Sequence, residues 1–444
     1  MRTALKNTRV FYGWFVVAAS GLMLFFNSGA QYAFGVMFKP IIREFGWSRG
    51  AISLVFLMNM AVFAAGLTVV GKVYDRYGPK WVIIVSTLLV SGGFALTSFV
   101  HSIGQFFFSY GVLAAAGLAG TGVPLVATVV SKWFDKWRGM AISLSLSGSS
   151  LGAFVLVPLL SLSVLSRGWR ASYLYLGIAV VTANILIALF VIKGDPHGLG
   201  IEPFGRGRAD EGGAAPGRRP PPPSALSGFG LRQAMATRSY WLFVATMFVC
   251  GSGDFFATSH FINIATDQGV SPLLAGRMMG WYGLMSLAGI LIAGPAADRI
   301  GSKIPIVLTF VLRLALYLFI LKYKSTTALY LFALLFGFTH LVTAPLTPML
   351  IGTLYGTSQL GLLTGFINTV HFLGGGFWTY MTGLIFDKTG SYQLAFLISA
   401  AAAAAAALCT ACVVEKRHGG VSIDAGEGRE GGTTDRPAYE PMSK

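Results

Sequence analysis

Charge is what this 444-residue chain has least of. Only 11% of its residues are charged, where a soluble domain carries about 25%. Acidic residues number 17 against 33 Lys and Arg. That shortage excludes an ordinary soluble enzyme. Cysteine is equally scarce. Cys250, Cys409 and Cys412 all fall inside apolar runs, without the spacing of a disulfide framework or a metal site, and they read as small packing residues. The sequence shows no nucleophile–base pair and no cluster of metal ligands. Neither catalysis, a metal nor a cofactor is therefore expected.

Apolar residues fill the space. They make up 54% of the chain, and the mean hydropathy is +0.67. Crossing a bilayer takes about 20 apolar residues in a helix. Twelve runs suffice: 11–38, 51–71, 81–100, 105–131, 139–165, 171–192, 240–265, 273–294, 304–321, 327–352, 360–386 and 391–413. The first run is too long for a cleaved signal peptide and lacks a small-residue cleavage site. The expectation is an all-α membrane protein with twelve transmembrane helices.

The net charge of +16 suggests nucleic acid until its distribution is read. With the amino terminus inside, cytoplasmic segments hold 23 Lys and Arg, the outer loops nine, and Arg313 lies within a run. This is the positive-inside bias of a protein in the cytoplasmic (inner) membrane with both termini cytoplasmic. The lipid bilayer, not nucleic acid, is the expected partner.

A ten-residue signature occurs twice, 223 residues apart. Gly71-Lys72-Val73-Tyr74-Asp75-Arg76-Tyr77-Gly78-Pro79-Lys80 is matched in register by Gly294-Pro295-Ala296-Ala297-Asp298-Arg299-Ile300-Gly301-Ser302-Lys303. An internal repeat of this length means two related halves, and halves built from apolar runs are the mark of a secondary transporter. The expected organisation is a first six-helix bundle at 1–193, a cytoplasmic linker at 194–236, a second bundle at 237–415 and a tail at 416–444. The linker carries Pro220-Pro221-Pro222-Pro223 with many Gly and Arg, and the tail is Gly-rich and polar. Both compositions suit flexible connectors.

The paired loops resemble the motif of the major facilitator superfamily. Other stretches are similar to its branch of monocarboxylate transporters and oxalate–formate antiporters: Tyr12-Gly13-Trp14, Tyr32-Ala33-Phe34-Gly35, Glu44-Phe45-Gly46-Trp47-Ser48-Arg49, Trp133-Phe134, Arg138-Gly139-Met140-Ala141, Gly168-Trp169-Arg170, Asp195-Pro196, Gly374-Gly375-Gly376 and Asp387-Lys388-Thr389-Gly390-Ser391-Tyr392. The resemblance implies the major facilitator fold and a small organic anion as substrate. Two departures stand against the branch's own mechanism. Animal monocarboxylate transporters carry a Lys near the position of Val36. Carboxylate carriers of the branch place an Arg ahead of the second loop motif, where this chain has Gly289-Ile290-Leu291-Ile292-Ala293.

A charge at a helix centre costs about 2.5–3.5 kcal/mol on insertion scales, so charges there need a reason. The first six runs have none near their centres, whereas runs seven to eleven hold Asp254, His260, Arg313, His340 and His371. Charge recognition is expected in the second half and shape recognition in the first. Arg313 reads either as partner of Asp254 or as a coupling residue. Burial penalises a charged carboxylate, which makes Asp254 a candidate proton carrier. Histidines titrate near neutral pH. His340 lies one turn ahead of Pro345, which aligns with Pro124, and His371 shares a helix face with Asn368. His260 reads as interfacial. First-half cavity candidates are Asn27, Gln31 and Tyr32 in run one, Asn59, Tyr110 and Thr121, with Ser145 and Ser149 as packing residues. Gly71, Asp75, Arg76, Gly294, Asp298 and Arg299 read as gating loops whose carboxylates lie near helix ends.

The function this supports is alternating-access transport of a small organic anion, by proton-coupled symport or by exchange with a counter-anion. The alternative is a proton-driven exporter of a larger apolar or cationic compound. A membrane sensor on the same fold lacks any appended signalling domain.

Overall fold

The computed structural model describes residues 11–194, 196, 200–205, 231–356 and 359–414. The Pro220–Pro223 segment, most of the 194–236 linker, the tail and the first nine residues with their basic side chains lie outside these. The described residues form fourteen α-helices, one π-helical stretch and no strand. In order they are α1 Gly13–Phe45, α2 Arg49–Thr97, α3 Ile103–Phe106, the π-helix Phe107–Ala114, α4 Ala115–Ala119, α5 Val123–Ser131, α6 Arg138–Phe190, α7 Leu231–Met235, α8 Arg238–Asp267, α9 Pro272–Ile300, α10 Lys303–Lys322, α11 Thr326–His340, α12 Thr343–Tyr355, α13 Leu360–Thr389 and α14 Gln393–Ala411.

Among the described residues, ten helical segments are long and apolar enough to cross a membrane. Two are far too long for one crossing. α2 has 49 residues and α6 has 53, and each contains one glycine with positive φ and extended ψ: Gly78 (φ 77, ψ 172) and Gly168 (φ 81, ψ 166). L-residues avoid that region, and glycine enters it freely. Counted as two segments each, these helices bring the ten to the twelve read from the sequence. Hydroxyl side chains mark many starts: Ser48, Ser102, Thr237, Ser271 and Ser325 each accept a backbone N–H of the first turn, filling a donor the helix leaves open.

Two runs expected to be continuous are broken. The fourth passes through the π-helix and α4, then stops at Gly120 before α5 restarts with Pro124 in its first turn. The tenth stops at His340 and restarts at Thr343, ahead of Pro345. A helix break frees carbonyls that need new donors, and both breaks find one. Asn27 of α1 donates through Nδ2 to the Thr121 carbonyl, and Arg313 of α10 donates to the Thr339 carbonyl at 3.1 Å.

The two ends of the molecule pack differently. At the end where α1 stops and α2 begins, one apolar core runs through both halves, joining Phe34, Phe38 and Phe56 to Phe255, Phe261 and Tyr282. At the other end, where the chain bends at Gly78 and Gly301, there are two separate cores. One is drawn from 234–413; the other is drawn from 16–192 and takes in Ile290 from the second half, with Leu287 and Leu341 packed against it. Helix α2 meets α13 from Arg49 and Ser53 near Gly383 to Phe63 against Phe372; beyond that level Gly71, Gly361 and Gly365 have nothing within 4 Å.

Small residues allow helices to approach closely in a membrane. A Cβ on Gly148 of α6 would lie 2.0 Å from the Gly21 carbonyl oxygen of α1. Gly148→Val is therefore expected to drive α1 and α6 apart. The check is detergent size-exclusion chromatography with a thermal melt, where the variant should melt lower or aggregate and Gly139→Ala, whose surroundings are open, should not.

Candidate functional site

The second half brings Arg313, His340 and His371 around one carboxylate, Asp254, and leaves His260 out of the group. Asp254 of α8 is 2% exposed and Arg313 of α10 is 1% exposed. Arg313 donates through Nη2 to Asp254 Oδ1 at 2.6 Å. His340 Nδ1, at the end of α11, lies 3.2 Å from the same oxygen but off the hydrogen-bond direction. His371 Nε2 of α13 lies 3.9 Å from Oδ2. Cys250 Sγ, one turn before Asp254 on α8, donates to Oδ2 at 3.5 Å and contacts Thr343 Oγ1 at 3.4 Å.

Glycines make the assembly possible. A Cβ on Gly251 would sit 1.8 Å from the His371 carbonyl, so α8 and α13 touch backbone to backbone there. A Cβ on Gly253 would sit 2.8 Å from Tyr317 Oη and 3.3 Å from Arg313 Nη1. The Gly251-Ser252-Gly253-Asp254 stretch thus admits one neighbouring helix on each side.

Arg313 is fully occupied. Nε donates to Thr339 Oγ1 at 3.0 Å and Nη1 to the Cys250 carbonyl at 3.3 Å; the Cys250 sulfur lies 3.7 Å from Nη1, and Nη2 serves both Asp254 and the Thr339 carbonyl. That matches the five N–H groups a guanidinium possesses. Its carbon lies 4.9 Å from the Phe336 ring centre. The two histidine side chains, each 16% exposed, are the members that reach open space. Cys250, Asp254 and His371 hold potential metal-binding atoms within 4.8 Å of one another. A guanidinium fixed 2.6 Å from the same carboxylate opposes a cation there electrostatically, and the arrangement suits an anion or a proton better.

The first-half candidates are not brought to this cluster. Asn27 is buried, its Nδ2 on Thr121 and its Oδ1 accepting from Asn184 at 3.3 Å. Gln31, one turn on, is exposed. Tyr110 lies in an aromatic group with Phe34, Phe106 and Tyr173, and its carbonyl accepts from Asn59 at 2.7 Å. Tyr32 alone approaches the second half, its ring 6.5 Å from Tyr282. Asn368 is half-buried on α13. In the repeated loops Gly294 is half-buried, while Gly71, Asp75, Arg76, Asp298 and Arg299 are exposed. Among the described residues neither Asp75 nor Asp298 forms a salt bridge.

A second polar group lies where the two halves share a core. Asp267 at the end of α8 pairs with Lys39 of α1 at 2.6 Å and takes two bonds from Arg49 of α2, at 2.7 and 3.1 Å. Arg49 Nη1 also donates to Tyr392 Oη at 2.6 Å, and its guanidinium lies 3.6 Å from the Phe386 ring centre. Asp387 of α13 accepts the Arg49 and Gly50 N–H groups at 2.9 and 2.7 Å, capping α2 from another helix. His260, read as interfacial, is instead fully buried, bonded to the Thr379 carbonyl at 3.0 Å and Tyr392 Oη at 3.2 Å. Sequence reading missed the roles of Lys39, Asp267 and Cys250. The signal for Cys250 was its place four residues before Asp254 on one helix face.

Comparison with known proteins sets these groups in context. The profile of the Major Facilitator Superfamily matches residues 21–264 and 242–435. An MFS-type transporter of Bacillus subtilis, YcxA, is 24% identical over 397 residues, covering 86% of this chain and 90% of that protein. Monocarboxylate transporter 13 of Rattus norvegicus is 23% identical over 396 residues, with coverage of 88% and 86%. Among solved structures, a bacterial homologue of the lysosomal transporter Spinster, inward-facing and occupied, superposes with TM-score 0.65 at 15% identity, covering 90% of this chain and 94% of that one. A point mutant of the nucleoside transporter NupG gives 0.68 at 14% identity, with 90% and 99% coverage.

Removing one member of a buried pair strands the other charge, at about 3–5 kcal/mol. Arg313→Ala and Asp254→Ala should each lower the melting temperature of purified protein sharply, and the double variant should melt above either single one.

Proposed function

The chain belongs to the major facilitator superfamily, and from that premise we propose that it is a secondary transporter carrying a small, monocarboxylate-like organic anion across the cytoplasmic membrane by alternating access, together with a proton. The observation that carries this reading is the one buried carboxylate faced by a guanidinium and two imidazoles. Asp254 and Arg313 cancel, so the cluster is neutral with both histidines unprotonated. A proton taken up by His340 or His371 leaves one net positive charge in a poorly solvated site. A monoanion restores neutrality, and an uncompensated buried charge is what such a site avoids. Proton and anion therefore favour each other's binding. The titratable groups facing the imidazoles are Cys250 and Asp254 on α8, Tyr282 on α9 and Arg313 on α10. Arg313, with its donors occupied, acts from behind Asp254, and the histidines meet the anion. Relatives named as monocarboxylate transporters support the substrate class. The same site serves anion exchange if a second anion replaces the first before the proton leaves. A cationic cargo is disfavoured, because Arg313 leaves no free carboxylate for it.

The test is uptake of radiolabelled monocarboxylates into proteoliposomes, with and without an acid-outside pH gradient. The gradient should accelerate uptake by the wild type, and the double variant His340→Gln/His371→Gln should lose that response. Gradient-driven extrusion of a cation with no carboxylate uptake would overturn the reading.

The Lys39–Arg49–Asp267–Asp387–Tyr392 group is proposed as the outer gate, shut here. Two observations support an inward-facing state: the single core at the gated end and the separate cores at the other. In the opposite state the Arg and Lys of the repeated loops, beside Asp75 and Asp298, would pair across the halves. Arg49→Ala should favour that state. A cysteine placed at Thr258, which is 7% exposed, should then react faster with an impermeant maleimide from outside. Unchanged labelling would refute a gating role.

A further inference from the structure

We propose that the anion site extends onto α9 through the hydroxyl of Tyr282, which selects carboxylates carrying an oxygen on the adjacent carbon, 2-oxo or 2-hydroxy acids, over plain ones. The inference rests on the anion reading above and deepens it. Tyr282 is 1% exposed and its Oη has no hydrogen-bond partner, whereas buried polar groups nearly always have one. The ring lies 5.2 Å from the His340 ring, 6.3 Å from Phe336 and 6.5 Å from Tyr32. It therefore stands between the histidine that reaches open space and the first half of the molecule.

Among the described residues two other buried tyrosines have unpartnered hydroxyls, and neither is so placed. Tyr173 sits among Phe94, Tyr110 and Trp169 within the first half, away from the Asp254 cluster. Tyr317 borders a cavity of about 160 Å³ between α8, α10, α13 and α14, which Arg313 but neither histidine of the cluster lines. Of the three, Tyr282 is the one that touches an imidazole of the cluster.

Packing explains why α9 contributes here. A Cβ on Gly337 would lie 2.4 Å from the Tyr282 carbonyl, so α9 and α11 meet backbone to backbone and hold the phenol against His340. Seven residues on, two turns along the same face, a Cβ on Gly289 would lie 2.0 Å from the Phe338 carbonyl. No side chain of any size fits at Gly289. The polar contribution of α9 comes two turns away instead, as a neutral donor. A phenol offers one O–H and accepts in return, which suits a carbonyl or hydroxyl oxygen of the substrate. The carboxylate itself goes to the imidazoles, so the oxygen that Tyr282 meets is a neighbouring one.

Binding of pyruvate, lactate and propionate to purified wild type and Tyr282→Phe, by calorimetry, tests this. The variant removes one oxygen and keeps the ring. The pyruvate-to-propionate affinity ratio should fall about five- to tenfold, the worth of one neutral hydrogen bond. The ligand-free variant should melt no lower than wild type, since the hydroxyl has no protein partner to lose. An unchanged ratio, or a lower melting point with equal loss for both acids, would show a structural tyrosine and overturn the proposal. Wild type that binds none of the three would overturn the anion reading as well, and the two failures are thereby told apart.

Discussion

A carboxylate and a guanidinium held 2.6 Å apart, both almost wholly out of water, are the constraint on which the second half is built. Neither group could stay charged there alone. Their contact dictates that α8 and α10 meet near mid-chain, that glycine stands at Gly253, and that the helix carrying Thr339 breaks where the guanidinium can reach its carbonyl. The first half solves the same break without charge. Asn27 satisfies the Thr121 carbonyl there. Equivalent helices are thus interrupted in both halves, one supported by an amide and the other by a cation whose charge must be answered. Interrupted helices at matching positions are a recurring feature of transporter binding sites, and here only one of the two holds titratable groups.

The stretches that carried the family resemblance pair with one another in space. Glu44 accepts from Trp169 Nε1 at 2.6 Å and from Arg170 at 2.7 Å, joining two of those stretches within the first half. Arg49 meets Asp387 and Tyr392, joining the first of these to a third across the halves. Gly46 and Gly390, with φ of 68° and 66°, end α1 and α13 in the left-handed conformation that a helix terminus uses. These residues serve one end of the molecule. The repeated Asp-Arg loops serve the other, where the halves stand apart.

The fold was largely legible because length and apolarity are local properties. The turns inside α2 and α6 could be placed from the apolar runs on either side of Gly78 and Gly168. The π-helix at Phe107–Ala114 left no such signal. At the site, Asp254 and Arg313 were legible as partners because an isolated buried charge needs one. Asn27 and Gln31 show the limit. Their four-residue spacing places them on one helix face, yet one is buried against Thr121 and the other is exposed, since spacing does not say which neighbour a face meets or where along the helix that neighbour ends. His260 was misjudged for the same reason: nearness to a helix end does not reveal that Thr379 and Tyr392 close over it. Tyr282 gave no signal, because an unsatisfied hydroxyl exists only once its surroundings are known.

The carboxylate of Asp387 caps α2 from a different helix. Were α13 to move away in the proposed cycle, the two freed N–H groups would emerge at a helix terminus beside solvent, and water would replace the carboxylate oxygens. Separation then exchanges one set of acceptors for another. A fastening of this kind would hold position firmly while shut yet yield to a small bias, as the proposed cycle demands; an apolar seam of equal area would resist parting at every turn.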